Sequence, residues 1–188
     1  MRVIAGKYGG RKLTGPGKMI LLRPTGDRLR ETLFNILGAA VERSYFIDAY
    51  AGTGAIGIEA ISRGAERVFF LEKRPAAARL IRANTEVLGI GDVTEILEAD
   101  AEQGLGRLAA RHILADFIFV DPPYDDAAEY LKILQFLDAS HLLAPTGTII
   151  VEHFHKLELP GRLERLECVR IKEQGDAMLS FYRIVAAA

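Results

Sequence analysis

The 188-residue chain has a single cysteine, Cys168, so it cannot close an intrachain disulfide or build a cysteine-based zinc site. A reducing, cytoplasmic setting is the simplest expectation. No stretch approaches about 18 consecutive apolar residues, which excludes a membrane-spanning helix. Met1 to Gly10 carries charges and glycines where a secretory signal would need an apolar run. Net charge is nearly absent too, at −1. Yet 49% of residues are apolar and 26% charged, which is the composition of a globular protein and not of a disordered one. The length fits one domain, able to bury most of its apolar surface without staples.

The small net charge hides a segregation. Residues 1–30 hold eight basic side chains (Arg2, Lys7, Arg11, Lys12, Lys18, Arg23, Arg28 and Arg30) against one acid, Asp27, whereas the remainder holds 16 basic and 24 acidic ones. A basic segment beside an acidic body is suited to meeting phosphates. Arg2, Lys7, Arg11, Lys12, Arg23 and Arg28 are the candidate contacts, and a solvated N-terminus is the plainer alternative.

The N-terminal residues read as a short twisted hairpin around Gly9-Gly10, followed by a Gly15-Pro16-Gly17 loop. Asp27 is placed to cap a helix whose apolar residues Leu29, Leu33, Ile36, Leu37, Ala40 and Val41 recur at helical spacing. From Tyr45 the pattern alternates. Strands are predicted at 45–49, 67–72, 93–98, 116–121 and 148–153, with helices at 55–63, 75–88, 101–111 and 126–138. Such alternation predicts an α/β fold: a doubly wound, Rossmann-like sheet, mostly parallel, with helices on both faces. Phe117-Ile118-Phe119-Val120 is apolar throughout, as a central parallel strand requires. Extended segments near 163–172 and 177–185 predict a hairpin that adds an antiparallel C-terminal edge. One domain over 1–188 follows, with 1–26 as hairpin and basic segment and 27–188 as core.

Gly52, Gly54 and Gly57 spell G-x-G-x-x-G after the first strand, and Glu72 follows Gly52 by 20 residues. That spacing matches a dinucleotide fingerprint. However, three residues separate Asp48 from Gly52, and the Asp48 carboxylate would repel a pyrophosphate. It suits a cationic ligand instead. S-adenosylmethionine carries an ammonium and a sulfonium and has no phosphate.

Asp48, Glu72, Asp100 and Asp121 fall at the carboxyl ends of the first four strands, the edge where open α/β sheets bind ligands. They suit an adenosyl ligand: Asp48 near the amino-acid end, Glu72 on the ribose, Asp100 near the adenine amine and Asp121 at the reacting centre. Glu98 and Glu102 are alternatives to Asp100, and helix capping is the plainer role for each acid. In Asp121-Pro122-Pro123-Tyr124, two prolines fix φ and remove two donors, leaving a rigid cluster of acceptors beside a ring. An exocyclic amine would donate to Asp121 and the Pro122 carbonyl while its base stacks on Tyr124.

These motifs resemble those of class I S-adenosylmethionine-dependent methyltransferases that methylate amines, with their (Asp/Asn)-Pro-Pro-(Tyr/Phe/Trp) signature. Arg2-Val3-Ile4-Ala5-Gly6, Gly10-Arg11-Lys12-Leu13, Arg23-Pro24-Thr25 and Asp27-Arg28-Leu29-Arg30-Glu31-Thr32-Leu33-Phe34-Asn35 are similar to the start of the RsmD family. So are Asp48 to Ala60 and Asp121 to Tyr124, and the likeness runs from residue 2 to about 185. Gly26 after Arg-Pro-Thr, and Gln174-Gly175-Asp176 before the last strand, depart from the pattern on the substrate side. The resemblance implies methylation of a guanine N2 amine in small-subunit ribosomal RNA, S-adenosylmethionine as cofactor, and ribosomal RNA or an assembling small-subunit particle as partner. It also implies a monomer or weak dimer that needs no metal.

The rivals are a DNA adenine-N6 methyltransferase, a non-catalytic nucleotide-binding assembly factor and a nicotinamide dehydrogenase. His153 and His155 share a strand face but lack a third ligand, so solvated or capping roles are expected of them. Cys168 reads as a packing residue.

Overall fold

In the computed structural model, which describes residues 1–15, 26–123 and 126–185, the apolar segment around Phe117 forms a central strand. The strands are β1 (Tyr45–Asp48), β2 (Arg67–Leu71), β3 (Thr94–Leu97), β4 (Ala115–Val120), β5 (Leu143–Phe154), β6 (Leu166–Gln174) and β7 (Ala177–Ile184). They form one seven-stranded sheet in the order β3-β2-β1-β4-β5-β7-β6. β1 lies between β2 and β4, parallel to both, with Ile47 opposite Phe69 on one side and Ile118 on the other. β7 pairs antiparallel with β5, and β6 with β7. The chain steps outward from β1 to β3 and then resumes on β1's other side. That reversal opens a crevice at the carboxyl ends of β1 and β4.

Helices α1 (Asp27–Leu37), α2 (Ala55–Ser62) and α3 (Pro75–Leu88) cover one face, and α4 (Ala101–Ala110) and α5 (Ala127–Ala139) the other. Alternate strand residues feed the two cores. Phe46, Phe70, Phe117 and Ile150 pack toward α1–α3, whereas Ile47, Phe69, Ile118 and Ile149 pack toward α4 and α5. Local signals set the helix ends. Pro75 opens α3 with the fixed φ of a first-turn proline, and Gly89 closes it in the left-handed region. Asp100 and Asp126 cap α4 and α5, accepting from the Gln103 and Glu129 amides.

The N-terminal hairpin is minimal: one antiparallel bridge joins Arg2 to Lys12, and Val3 exchanges backbone hydrogen bonds with Arg11 and Gly10. Several expectations are corrected. Gly26, not Asp27, caps α1; Asp27 is its first residue and pairs with Arg30 at 2.9 Å. Ala40 is exposed because α1 ends at Leu37 and a 3-10 turn over Gly38–Val41 breaks the helical period. β5 begins at Leu143, five residues ahead of the expected 148, and the outermost strand β6 begins at Leu166 after a turn closed by Leu163 N to Leu166 O. The 15–17 loop reading falls largely outside the described residues. None of the described helices is long and apolar enough to cross a membrane.

Candidate active site

Two cavities meet at the carboxyl ends of β1 and β4. The larger, about 260 Å³, is lined by Gly52, Leu71, Glu72, Ala99, Asp100, Ala101, Pro122 and Pro123 among others. The smaller is lined by Asp48, Thr53, Ile56 and Phe119. Tyr50 and Asp121 line both. The four strand-end acids are thus brought to one crevice, with Asp121 at the junction.

Each acid also has a structural task. Asp48 is buried at the end of β1 and accepts from the Gly57 amide in the first turn of α2, at 3.1 Å. Burial raises its pKa to about 7; the Gly57 hydrogen bond opposes that rise and the charge of Glu72 adds to it. Asp100 holds the Gln103 amide through one oxygen, so it caps α4. Glu72 is fully engaged: it accepts from Gly52 N at 2.8 Å, and from Arg74 N, Nε and Nη2 at 2.8, 2.9 and 3.2 Å. Glu98, by contrast, is tied to Arg82 on the surface and does not line the cavities. Glu102 pairs with Lys132.

Gly52 and Gly54 have φ of 53° and 77°, the left-handed region that favours glycine. A Cβ at Gly54 would come within 3.1 and 3.3 Å of Ile81 on α3, so this glycine serves helix packing as well as the turn. On the opposite wall the Pro122 carbonyl accepts from the buried Tyr130 hydroxyl at 3.3 Å, and the Pro123 carbonyl accepts from Asp126 N. The Pro122 oxygen therefore offers only its second lone pair to a ligand. Burial, with the charges of Asp121 and Glu152, pushes the Tyr130 phenol upward. Tyr124 and Arg23 lie outside the described residues.

The sequence reading missed three residues of this region. Tyr50 donates to Glu129 at 2.7 Å, linking the glycine turn to the start of α5 across the crevice. Arg74 clamps Glu72; the acid–x–base spacing after β2 was the available signal. Glu152 is buried one step beyond Val151, which pairs with Val120, so it stands on β5 in step with Asp121 at the end of β4.

The basic segment divides. Lys7, Arg11, Lys12 and Arg28 are exposed, and Arg2 is exposed but 3.5 Å from Asp27. Arg30 is buried, bonded to Asp27 and to the Arg2 carbonyl, and so cannot meet a phosphate. The hairpin docks along the latter parts of α2 and α3. His153 is buried, not solvated: its ring nitrogens contact Ser180 Oγ at 2.8 Å and the Phe154 carbonyl at 3.1 Å, and burial lowers its pKa. Among the described residues no group of acids, histidines and cysteine is arranged to hold a metal ion.

The profile of the family described as "Conserved hypothetical protein 95" matches residues 1–183. The chain belongs to this, the RsmD family. It is 36% identical over 183 residues to the ribosomal RNA small subunit methyltransferase D of Escherichia coli K12, covering 97% of this chain and 89% of that protein. A solved structure of a hypothetical protein from Thermus thermophilus superposes with a TM-score of 0.82 at 29% identity, over 98% of this chain and 99% of that one. An RNA methyltransferase of Salinibacter ruber, solved with S-adenosyl-L-homocysteine, shares the fold at a TM-score of 0.68 and 17% identity, over 88% and 96% of the two chains.

Proposed function

We propose that this protein is an S-adenosylmethionine-dependent ribosomal RNA methyltransferase and that its acceptor is the N2 amine of a guanine. Membership in a family with ribosomal RNA methyltransferases supports the coarser statement, and the chemistry of the crevice supports the cofactor. Its acceptors are carboxylates, which suit the ribose hydroxyls, adenine amine and ammonium of S-adenosylmethionine and would repel a dinucleotide's phosphates. Glu72 would hold the ribose, Asp100 the adenine amine and Asp48 the ammonium, with the turn at Gly52 and Gly54 alongside. When bound, the cofactor supplies an electrophilic methyl group on sulfur.

The observation that carries the proposal is the position of Asp121 at the junction of the two cavities. There its carboxylate accepts one N–H of the incoming amine and turns the nitrogen lone pair toward the cofactor end. It also lies in the path of the proton that the nitrogen sheds. The second amine hydrogen reaches the remaining lone pair of the Pro122 carbonyl. Pro122 and Pro123 keep this geometry fixed before substrate arrives, so orientation does most of the work.

The test is transfer of labelled methyl to small-subunit RNA, and to partly assembled small-subunit particles from a deletion strain, followed by mapping of the modified base. N2-methylguanine at one position is the expected product; methyl on an adenine or another atom refutes the acceptor. In single turnover with saturating cofactor, Asp121→Ala is expected to lose about two orders of magnitude in rate while still binding cofactor. Near-normal turnover in that variant would show that the amine is held elsewhere.

A further inference from the structure

α2 is buried along all eight of its residues, although it lies on the outer side of the sheet. What covers it is in part the N-terminal arm, and the contact is made by backbone. Glu59, 0% exposed, accepts from Ile4 N at 2.7 Å and from Ala5 N at 3.0 Å through its two oxygens. Three residues on, the Ser62 carbonyl accepts from Lys7 N at 2.7 Å, and its hydroxyl accepts from Tyr8 N at 3.0 Å. Asn84 on α3 grips Thr14 by both its amide hydrogen and its carbonyl. Gly6 marks how close the chains come: its φ is +81°, and a Cβ there would stand 1.9 Å from the Ser62 carbonyl oxygen.

A fully buried carboxylate is an expensive way to hold two amides. Here its charge is balanced by Arg63 Nε at 2.9 Å and faces Arg30 Nε at 4.0 Å. Arg30 in turn reaches the Arg2 carbonyl, closing a ring from α2 through α1 back to the arm. The side chains of Lys7, Arg11 and Lys12 stand outward and exposed. α2 itself starts at the glycine turn, and Glu59 lies about 7.5 Å along it from Gly54 at the helical rise.

We propose that Glu59 is a positioning residue for the RNA substrate: it fixes the basic arm to the helix that begins at the cofactor turn. Glu59 touches no RNA; it makes the arm's charges part of the same rigid body as the crevice. The proposal rests on the reading that the arm meets RNA phosphates.

The test compares E59Q with the wild type, using whichever small-subunit RNA or particle accepts methyl. A glutamine cannot accept at both oxygens, and it leaves Arg63 without its counter-charge and Arg30 with Asp27 alone. Exchange of the Ile4 and Ala5 amides should quicken. The KM for RNA should rise by about tenfold, since binding must then order the arm and its long side chains. The kcat and the cofactor affinity should stay within about twofold. G6A, which lifts the arm while sparing Glu59, should give the same split and decides the matter if E59Q does not fold. R11A/K12A is the control for the underlying reading: wild-type RNA affinity there removes the arm from RNA binding altogether. If R11A/K12A weakens RNA binding but E59Q and G6A leave KM unchanged, the positioning role is refuted. It is equally refuted if E59Q lowers cofactor affinity as much as RNA affinity, because Glu59 would then only be holding the core together.

Discussion

Glu72 accepts four hydrogen bonds, which fills the roughly four lone-pair sites of a carboxylate. Under the proposed assignment, a ribose diol that binds Glu72 must displace a donor. The backbone amides of Gly52 and Arg74 are fixed by the chain, whereas the Arg74 side chain is 44% exposed and free to swing. Arg74→Ala is accordingly expected to tighten S-adenosylmethionine binding by a few-fold, the scale of an exposed ion pair, and Glu72→Gln to weaken it. Calorimetry separates the possibilities, and weaker binding in Arg74→Ala would mean that the guanidinium itself contacts the cofactor. Asp48 gives a pH dependence. Its folded-state pKa, about 7, lies above the ordinary 3.8, so between these values the folded chain holds a proton that the unfolded chain has released. The Asp48 contribution to stability therefore falls as pH rises through that window. Binding of an ammonium needs the ionised form, so cofactor affinity should climb with pH around 7, and Asp48→Asn should flatten the climb. The same residue shows where sequence reasoning stops. A carboxylate at a strand end is legible, but the depth of its burial and its bond to Gly57 depend on how α2 seats over the sheet.

That seating is settled by contacts between elements. At Gly57 an added Cβ would lie 2.3 Å from Phe70 Cε1 and 2.8 Å from Val68 Cγ1, so α2 rests directly on β2. Gly57→Ala should destabilise the protein by about 1–3 kcal/mol, a fall in Tm of about 2–4 °C for each kcal/mol. It should also weaken cofactor binding, because the turn at Gly52 and Gly54 moves with the helix. An unchanged Tm and affinity would show that Phe70 turns aside at no cost. The elements themselves were readable because βα alternation, the capping aspartate at 100 and the all-apolar β4 are local signals. What was not readable is set at a distance. Ala40 keeps the helical period on paper, but the chain has to leave α1 early to enter β1. His153 looks like a strand-end polar residue until β7 brings Ser180 against it. Glu59 reads as one more helix acid until an arm some 55 residues away in sequence presents two amides to it.

Over the whole molecule, charge is sorted by position. The first thirty residues carry eight of the 24 basic side chains and one of the 25 acidic ones. Folding then removes Arg30 from that set by burying it and partly neutralises Arg2 through Asp27, at 3.5 Å. Among the described residues Lys7, Arg11, Lys12 and Arg28 remain as exposed cations of the segment, set against an acidic body that discourages binding elsewhere on the surface. Association with RNA should therefore depend on few phosphate contacts and on where they sit. Each lost contact removes about 0.7–0.9 from the slope of log affinity against log salt. R11A/K12A should thus flatten the slope by about 1.4–1.8 and weaken binding at low salt, while cofactor affinity holds. Arg2→Ala should change the slope by less than either single substitution, because Asp27 already competes for that guanidinium. Titrations of small-subunit RNA over a range of salt concentrations measure both. An unaltered slope in R11A/K12A would leave the charge excess as a solubilising face, and the RNA would have to be gripped by another surface of the protein.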